Sequence, residues 1–139
     1  MQLTIDQELH LKWLWLAVGI GLIITISILC LMPPGDLPPP FPHFDKLVHW
    51  IFYLTISGWF GQLVIPQFRW NLFTLSLAMG VILEIIQWLL PFRSFELWDI
   101  AANTVGNLTG IAIFTGQRFR PLRQIDRFIW SIYSRLSNA

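Results

Sequence analysis

Residues 13–32 read WLWLAVGIGLIITISILCLM, twenty residues without a single charge. At about 1.5 Å of rise per residue, a helix of that length crosses a hydrocarbon core of about 30 Å. The run is too long for the apolar core of a signal peptide, and no small-residue cleavage site precedes Pro33, so it is expected to stay in the mature protein. Working outward, three more stretches, 47–66, 70–91 and 99–117, have a comparable length and apolar character. The expectation is an all-α membrane protein: four transmembrane helices in a bundle, one domain over residues 1–139. Composition agrees, because 55% of the residues are hydrophobic and 12% are charged, about half the charged share of a soluble domain. Eight Trp and eleven Phe are more rings than so small an interior can hide, which leaves some of them facing lipid. Cys30 stands alone, which excludes an internal disulfide and a thiolate zinc cluster.

The breaks between spans are also legible. Six prolines fall within residues 33–42, and proline removes a backbone donor and clashes with the preceding turn, so this loop is extended and stiff. Pro66 and Arg69 separate the second and third spans so narrowly that the two must pair as antiparallel neighbours. Pro91 to Ser94 end the third. Beyond Gly116 the pattern becomes amphipathic: Ile125, Phe128, Ile129, Ile132, Tyr133 and Leu136 recur at helical spacing among Arg123, Asp126, Arg127 and Arg135. A short C-terminal amphipathic helix over about 121–136, lying in the membrane interface, accounts for both stripe and charge, with packing on the bundle as its rival. Five of the nine Lys and Arg lie in the last 22 residues, against Lys46 and Arg93 alone in the loops 33–46 and 92–98. Basic residues near span ends are retained in the cytoplasm, so both termini are expected there.

The unusual polar residues gather toward the other face. Asp45, His49 and Tyr53 follow at intervals of four, with Lys46 three before His49; Gly80, Glu84 and Gln87 share a second helix face, and Asp99, Asn103, Gly106 and Gly110 a third. Glu84 lies six residues before Leu90, about 9 Å inside the helix end, where a lipid-facing carboxylate costs on the order of 2 kcal/mol or more. It must point inward, either protonated or paired with Arg93, Lys46 or His49. The bland reading, interhelical hydrogen-bond glue, suits Gln87, Asn103 and Asn107. His49 has a carboxylate one turn away that can orient its ring for general-base or nucleophilic work. His10 and His43 lack such company and read as loop residues. Arg93 offers a bidentate fork and Lys46 a point charge for a phosphate, although interfacial snorkelling is ordinary for both. Asp99 also suits a helix cap, and Gly106 and Gly110 a packing seam. His49 with Asp45, Glu84 and Asp99 is a weak zinc pattern, so no metal and no cofactor is expected. Trp13, Trp15, Trp50, Trp59, Trp70, Trp88 and Trp98 read as interface anchors. Nucleic-acid and nucleotide motifs are missing.

Three ordered motifs, Asp45-Lys46-x-x-His49-x-x-x-Tyr53, Glu84-x-x-Gln87 and Arg93-Ser94 followed by Asp99-x-x-x-Asn103-x-x-Gly106, resemble the VanZ-like family. These are small bacterial membrane proteins named after a member associated with teicoplanin resistance. The resemblance covers about Asp45 to Gly110 and implies a link to the cell envelope without implying a reaction. The residues themselves suggest an outer-leaflet site for an anionic lipid headgroup or a lipid-linked wall precursor. Its catalytic set would be His49, Asp45, Glu84 and Asp99, and its binding set Lys46, Tyr53, Gln87, Arg93 and Asn103. The alternative is a non-catalytic membrane adaptor in which the same residues lock the bundle and bind a partner protein or lipid. A proton or ion pathway would need polar residues through the full thickness, and the inner halves of the spans offer few.

Overall fold

A computed structural model describes residues 5, 8–33, 35, 39–114 and 119–137. Among these, regular structure is helical apart from one antiparallel bridge between Ile5 and Val64. The helices are α1 (Lys12–Leu31), α2 (Phe44–Leu63), α3 (Arg69–Trp88), α4 (Leu97–Phe114) and α5 (Pro121–Ser137), with a 3-10 turn at Pro66–Phe68 leading into α3. Two segments, Lys12–Leu31 and Pro66–Trp88, are long and apolar enough to cross a membrane. Of the four expected spans, therefore, two meet that standard. In α2 and α4 it is missed because Asp45, Lys46, His49 and Gln62 interrupt one helix and Asp99, Asn103 and Asn107 the other.

Prolines set the helix ends. Met32 is extended ahead of Pro33, and Ile65 is extended ahead of Pro66, as the clash of a proline ring with the residue before it requires. The third helix stops at Trp88, three residues short of the expected 91, in a turn before Pro91. Pro34 and Asp36 to Pro38 of the proline loop, the last residues of the expected fourth span and Arg118 lie outside the described residues.

α2 and α4 make the most extensive contact. They run parallel, since Asp99 meets Lys46, Asn103 meets His49, and Gly106 and Gly110 meet Trp50 and Leu54 in ascending order. The expected glycine seam is here and its reason is steric. A Cβ on Gly106 would sit 2.3 Å from the Trp50 carbonyl oxygen, and one on Gly110 would sit 2.5 Å from that of Leu54. α3 runs the opposite way, with Gly80 against Tyr53 and Asn103, and the Asn107 amide donating to the Phe73 carbonyl at 3.0 Å.

α5 packs one face on the bundle and leaves apolar residues exposed on another. Leu122 and Asp126 are buried on the bundle, while Phe128, Ile132 and Leu136 are exposed. Asp126 is fully buried and accepts four hydrogen bonds: from the backbone N–H groups of His10 and Leu11, both at 2.9 Å, from His10 Nδ1 at 3.1 Å and from the Trp15 indole at 2.7 Å. It thereby caps the start of α1 from a distant helix, since the first donors of a helix have no partner within it. His10 is thus no plain loop residue; it also stacks on Trp130. Trp15 is a buried donor rather than an exposed anchor, unlike Trp13, Trp70, Trp88 and Trp98.

Burial pushes the Asp126 carboxyl up, but its donors outweigh that and hold it below the usual carboxylate range. A lowered folded-state pKa gives stability that is present above the unfolded value and lost as pH falls through the folded one. Asp126→Ala should cost about 3 kcal/mol, because charge-assisted bonds vanish and buried donors remain, and α5 should become protease-sensitive. In Asp126→Asn, the loss of stability below about pH 4 should be smaller than in the wild type. Thermal unfolding in detergent across pH measures both. Gly106→Ala should destabilise by about 1–3 kcal/mol despite better helix propensity, since the clash is with backbone that cannot swing aside.

Candidate functional site

The parallel register of α2 and α4 places their polar stripes side by side, and the antiparallel α3 brings Glu84 and Gln87 to the same end. Lys46 lies at the centre. Its ammonium contacts Asp45 and Glu96 and lies 2.7 Å from Asp99 Oδ1, so three carboxylates share one cation. Oxygens of the three lie within 4.8 Å of one another, an arrangement able to chelate a hard ion, but the Lys46 ammonium already supplies the positive charge there. Glu96 is a member that the motif reading leaves out. It precedes Asp99 by three residues, so the helical-spacing arithmetic applied elsewhere also reaches it.

His49 is buried, and Asn103 orients it. Its Nδ1 is 3.0 Å from Asn103 Oδ1, which makes Nδ1 the proton-bearing nitrogen toward that acceptor and turns Nε2 toward Asp99 Oδ2 at 3.6 Å. That distance is an electrostatic contact and too long for a hydrogen bond. Asp45, one turn before His49, is turned to Lys46 instead. Tyr53 and Glu84 are each 1% exposed, which places Glu84 inside the bundle as its cost in lipid requires. Glu84 Oε1 accepts the Glu96 backbone N–H at 2.7 Å, while Glu84 Oε2 and the Tyr53 hydroxyl have no hydrogen-bond partner among the described residues. Gly80 leaves the room that Tyr53 and Asn103 occupy, since a Cβ there would lie 3.0 Å from the phenol oxygen.

Gln87 and Arg93 converge on a group that side-chain motifs do not reveal, the Cys30 backbone carbonyl. Gln87 Nε2 donates to it at 2.8 Å and Arg93 Nη2 at 3.0 Å. Carbonyls in the last turn of a helix lack partners within the helix, so these two donors fasten the end of α1 to the site. Arg93, Gln87, Asp45, Phe92, Ser94, Glu96 and Asp99 line a cavity of about 110 Å³. Arg93 has no carboxylate within ion-pair distance among the described residues, and its Nε is buried without a partner. A larger cavity of about 360 Å³ between α1, α2 and α3 is lined almost wholly by aliphatic and aromatic residues and holds no comparable chemistry.

Every expected site residue is therefore found at one end of the bundle. Residues 10–120 match the family described as VanZ/LLP1. The chain belongs to the VanZ/LLP1 family. The matched region contains all of these residues, whereas α5 lies beyond it. No curated protein and no solved structure matches the chain.

Removing the central cation leaves three carboxylates with only each other. Lys46→Met should therefore destabilise by about 2–4 kcal/mol, whereas Asp45→Asn, at a half-exposed position, should cost about 0.5 kcal/mol. Melting temperatures of the two variants in the same detergent check this ordering.

Proposed function

We propose that this VanZ/LLP1 protein is a four-span bundle of the bacterial cytoplasmic membrane, both termini inside. Its outer pocket takes the phosphate-bearing headgroup of an envelope lipid or lipid-linked wall precursor. The observation that carries this reading is Arg93: a guanidinium lining a small polar cavity, with one amino group on a neutral carbonyl and no carboxylate within ion-pair distance among the described residues. Guanidinium binds phosphate through paired, charge-assisted hydrogen bonds, and here that capacity is left over after the fold is satisfied. Lys46, compensated by Asp45, Glu96 and Asp99, serves the architecture rather than the phosphate. The spanning of α2 and α4 is supported by burial of their polar stripes against each other and α3, which removes the cost of placing them at membrane depth. The exposed Phe128, Ile132 and Leu136, flanked by Arg127 and Arg135, suit an interfacial helix on an anionic inner leaflet.

In the catalytic form of this reading, His49 Nε2 takes a proton from water or attacks the headgroup bond, with Asn103 fixing its tautomer and Asp99 stabilising the charge that develops. As the water oxygen bonds to phosphorus and the ester bond breaks, Glu84, protonated at the start, donates its own proton to the leaving oxygen, and the proton held by His49 later restores it. The adaptor reading has its own observation, since the amides of Gln87 and Asn107 each lock onto a carbonyl of another helix. His49→Gln separates the two in bilayer discs offered phospholipids and undecaprenyl-linked substrates. Catalysis predicts that headgroup release disappears while lipid binding persists; an adaptor gives no release in the wild type. Arg93→Lys should weaken lipid retention roughly tenfold in either case, because it keeps charge and removes the fork. Unchanged retention would overturn the phosphate assignment.

A further inference from the structure

The charge around the cavity is lopsided in a way that constrains its ligand. Three carboxylates, Asp45, Glu96 and Asp99, line it against Arg93, and among the described residues Lys46 is the one Lys or Arg paired with them, with His49 3.6 Å from Asp99. Glu84 adds a fourth carboxyl group directly behind, bonded to the Glu96 backbone N–H through Oε1 and with Oε2 buried and without a hydrogen-bond partner among the described residues. Lys46 pairs with Asp45 Oδ2, Glu96 Oε2 and Asp99 Oδ1; of the second oxygens, Glu96 Oε1 has only a long contact from Ser94 Oγ at 3.4 Å and Asp99 Oδ2 faces His49 Nε2 at 3.6 Å, so acceptor capacity remains on both. A purely anionic phosphate gains from Arg93 and is repelled by this surplus at short range, where partial burial weakens screening. A headgroup carrying both signs meets both demands.

Resting on the phosphate reading above, we propose that the pocket selects a zwitterionic lipid headgroup: a phosphate with a primary ammonium a short linker away, of the phosphoethanolamine kind. The phosphate takes Arg93. The ammonium, with three donors, takes the lining carboxylates of Asp99, Glu96 and Asp45. A cavity of about 110 Å³ suits a headgroup of this small size. The same oxygens would also suit a divalent cation bridging to an anionic phosphate, and that alternative is one of the outcomes below.

The test uses the full chain purified in detergent and read by native mass spectrometry. The probes are phosphatidylethanolamine, phosphatidylglycerol and N-acylated phosphatidylethanolamine, which keeps the phosphate and loses the ammonium. Phosphatidylethanolamine should be retained about tenfold over the other two, with or without EDTA. In Glu96→Gln, with unfolding temperature checked in parallel, that preference should shrink to about threefold while phosphatidylglycerol retention holds or rises. Arg93→Lys should weaken all three together. Equal or stronger Arg93-dependent retention of phosphatidylglycerol would overturn the ammonium assignment and leave the phosphate reading intact. A preference abolished by EDTA would replace the ammonium with a metal ion. Retention of no phospholipid in an Arg93-dependent way would remove the phosphate reading and this inference with it.

Discussion

The contact on which everything else depends is backbone against backbone. Gly106 and Gly110 of α4 lie so close to the Trp50 and Leu54 carbonyls of α2 that no side chain fits between them. That approach fixes both the separation and the register of two parallel helices, and the register decides which polar residues meet. Asp99 falls beside Lys46 and Asn103 beside His49 because Gly106 falls beside Trp50. A slip by one turn would part Glu96 and Asp99 from Lys46 and leave His49 without its acceptor. Packing and electrostatics therefore select the same alignment, the mutual consistency that gives a chain one native state.

Burial then makes each polar group answerable to a partner. Donors and acceptors removed from water cost free energy unless they are paired, and the bundle meets this with few residues. Asp126 gathers the orphan donors at the start of α1, while Gln87 and Arg93 serve an orphan carbonyl at its other end. α1 itself is charge-free from Trp13 to Leu31, and it is held at its two ends by polar bonds from other elements as well as by its packing. Among the described residues, Glu84 Oε2, the Tyr53 hydroxyl and Arg93 Nε are buried without a hydrogen-bond partner near the site, and Ser76 Oγ and Asn107 Oδ1 deeper in the bundle.

Much of this was legible in the residues. Helical spacing alone brought His49, Glu84 and Asp99 to common faces, and the cost of a carboxylate in lipid turned Glu84 inward. The small-residue pair at Gly106 and Gly110 announced a seam. What spacing could not give was the identity of backbone partners: the Cys30 carbonyl has no sequence signature, and Lys46 could be placed near carboxylates without revealing that three of them enclose it. Asp126 was hidden for a related reason. A lone Asp among arginines on an amphipathic helix looks like part of a solvated face, and only the long-range return of the chain to His10 and Trp15 makes it a cap. The polar stripes that mark the candidate site are also what lower the apolarity of α2 and α4.

The central claim is that Arg93 holds a lipid phosphate. Solid-state NMR of the protein in phospholipid bilayers, with arginine guanidinium nitrogen labelled as ¹⁵N and the Arg93 signal assigned by its loss in Arg93→Lys, tests it directly through ¹⁵N–³¹P dipolar dephasing. The account predicts dephasing of the Arg93 signal by headgroup phosphorus in direct contact. An Arg93 signal that does not dephase, while arginines of α5 do, would contradict it.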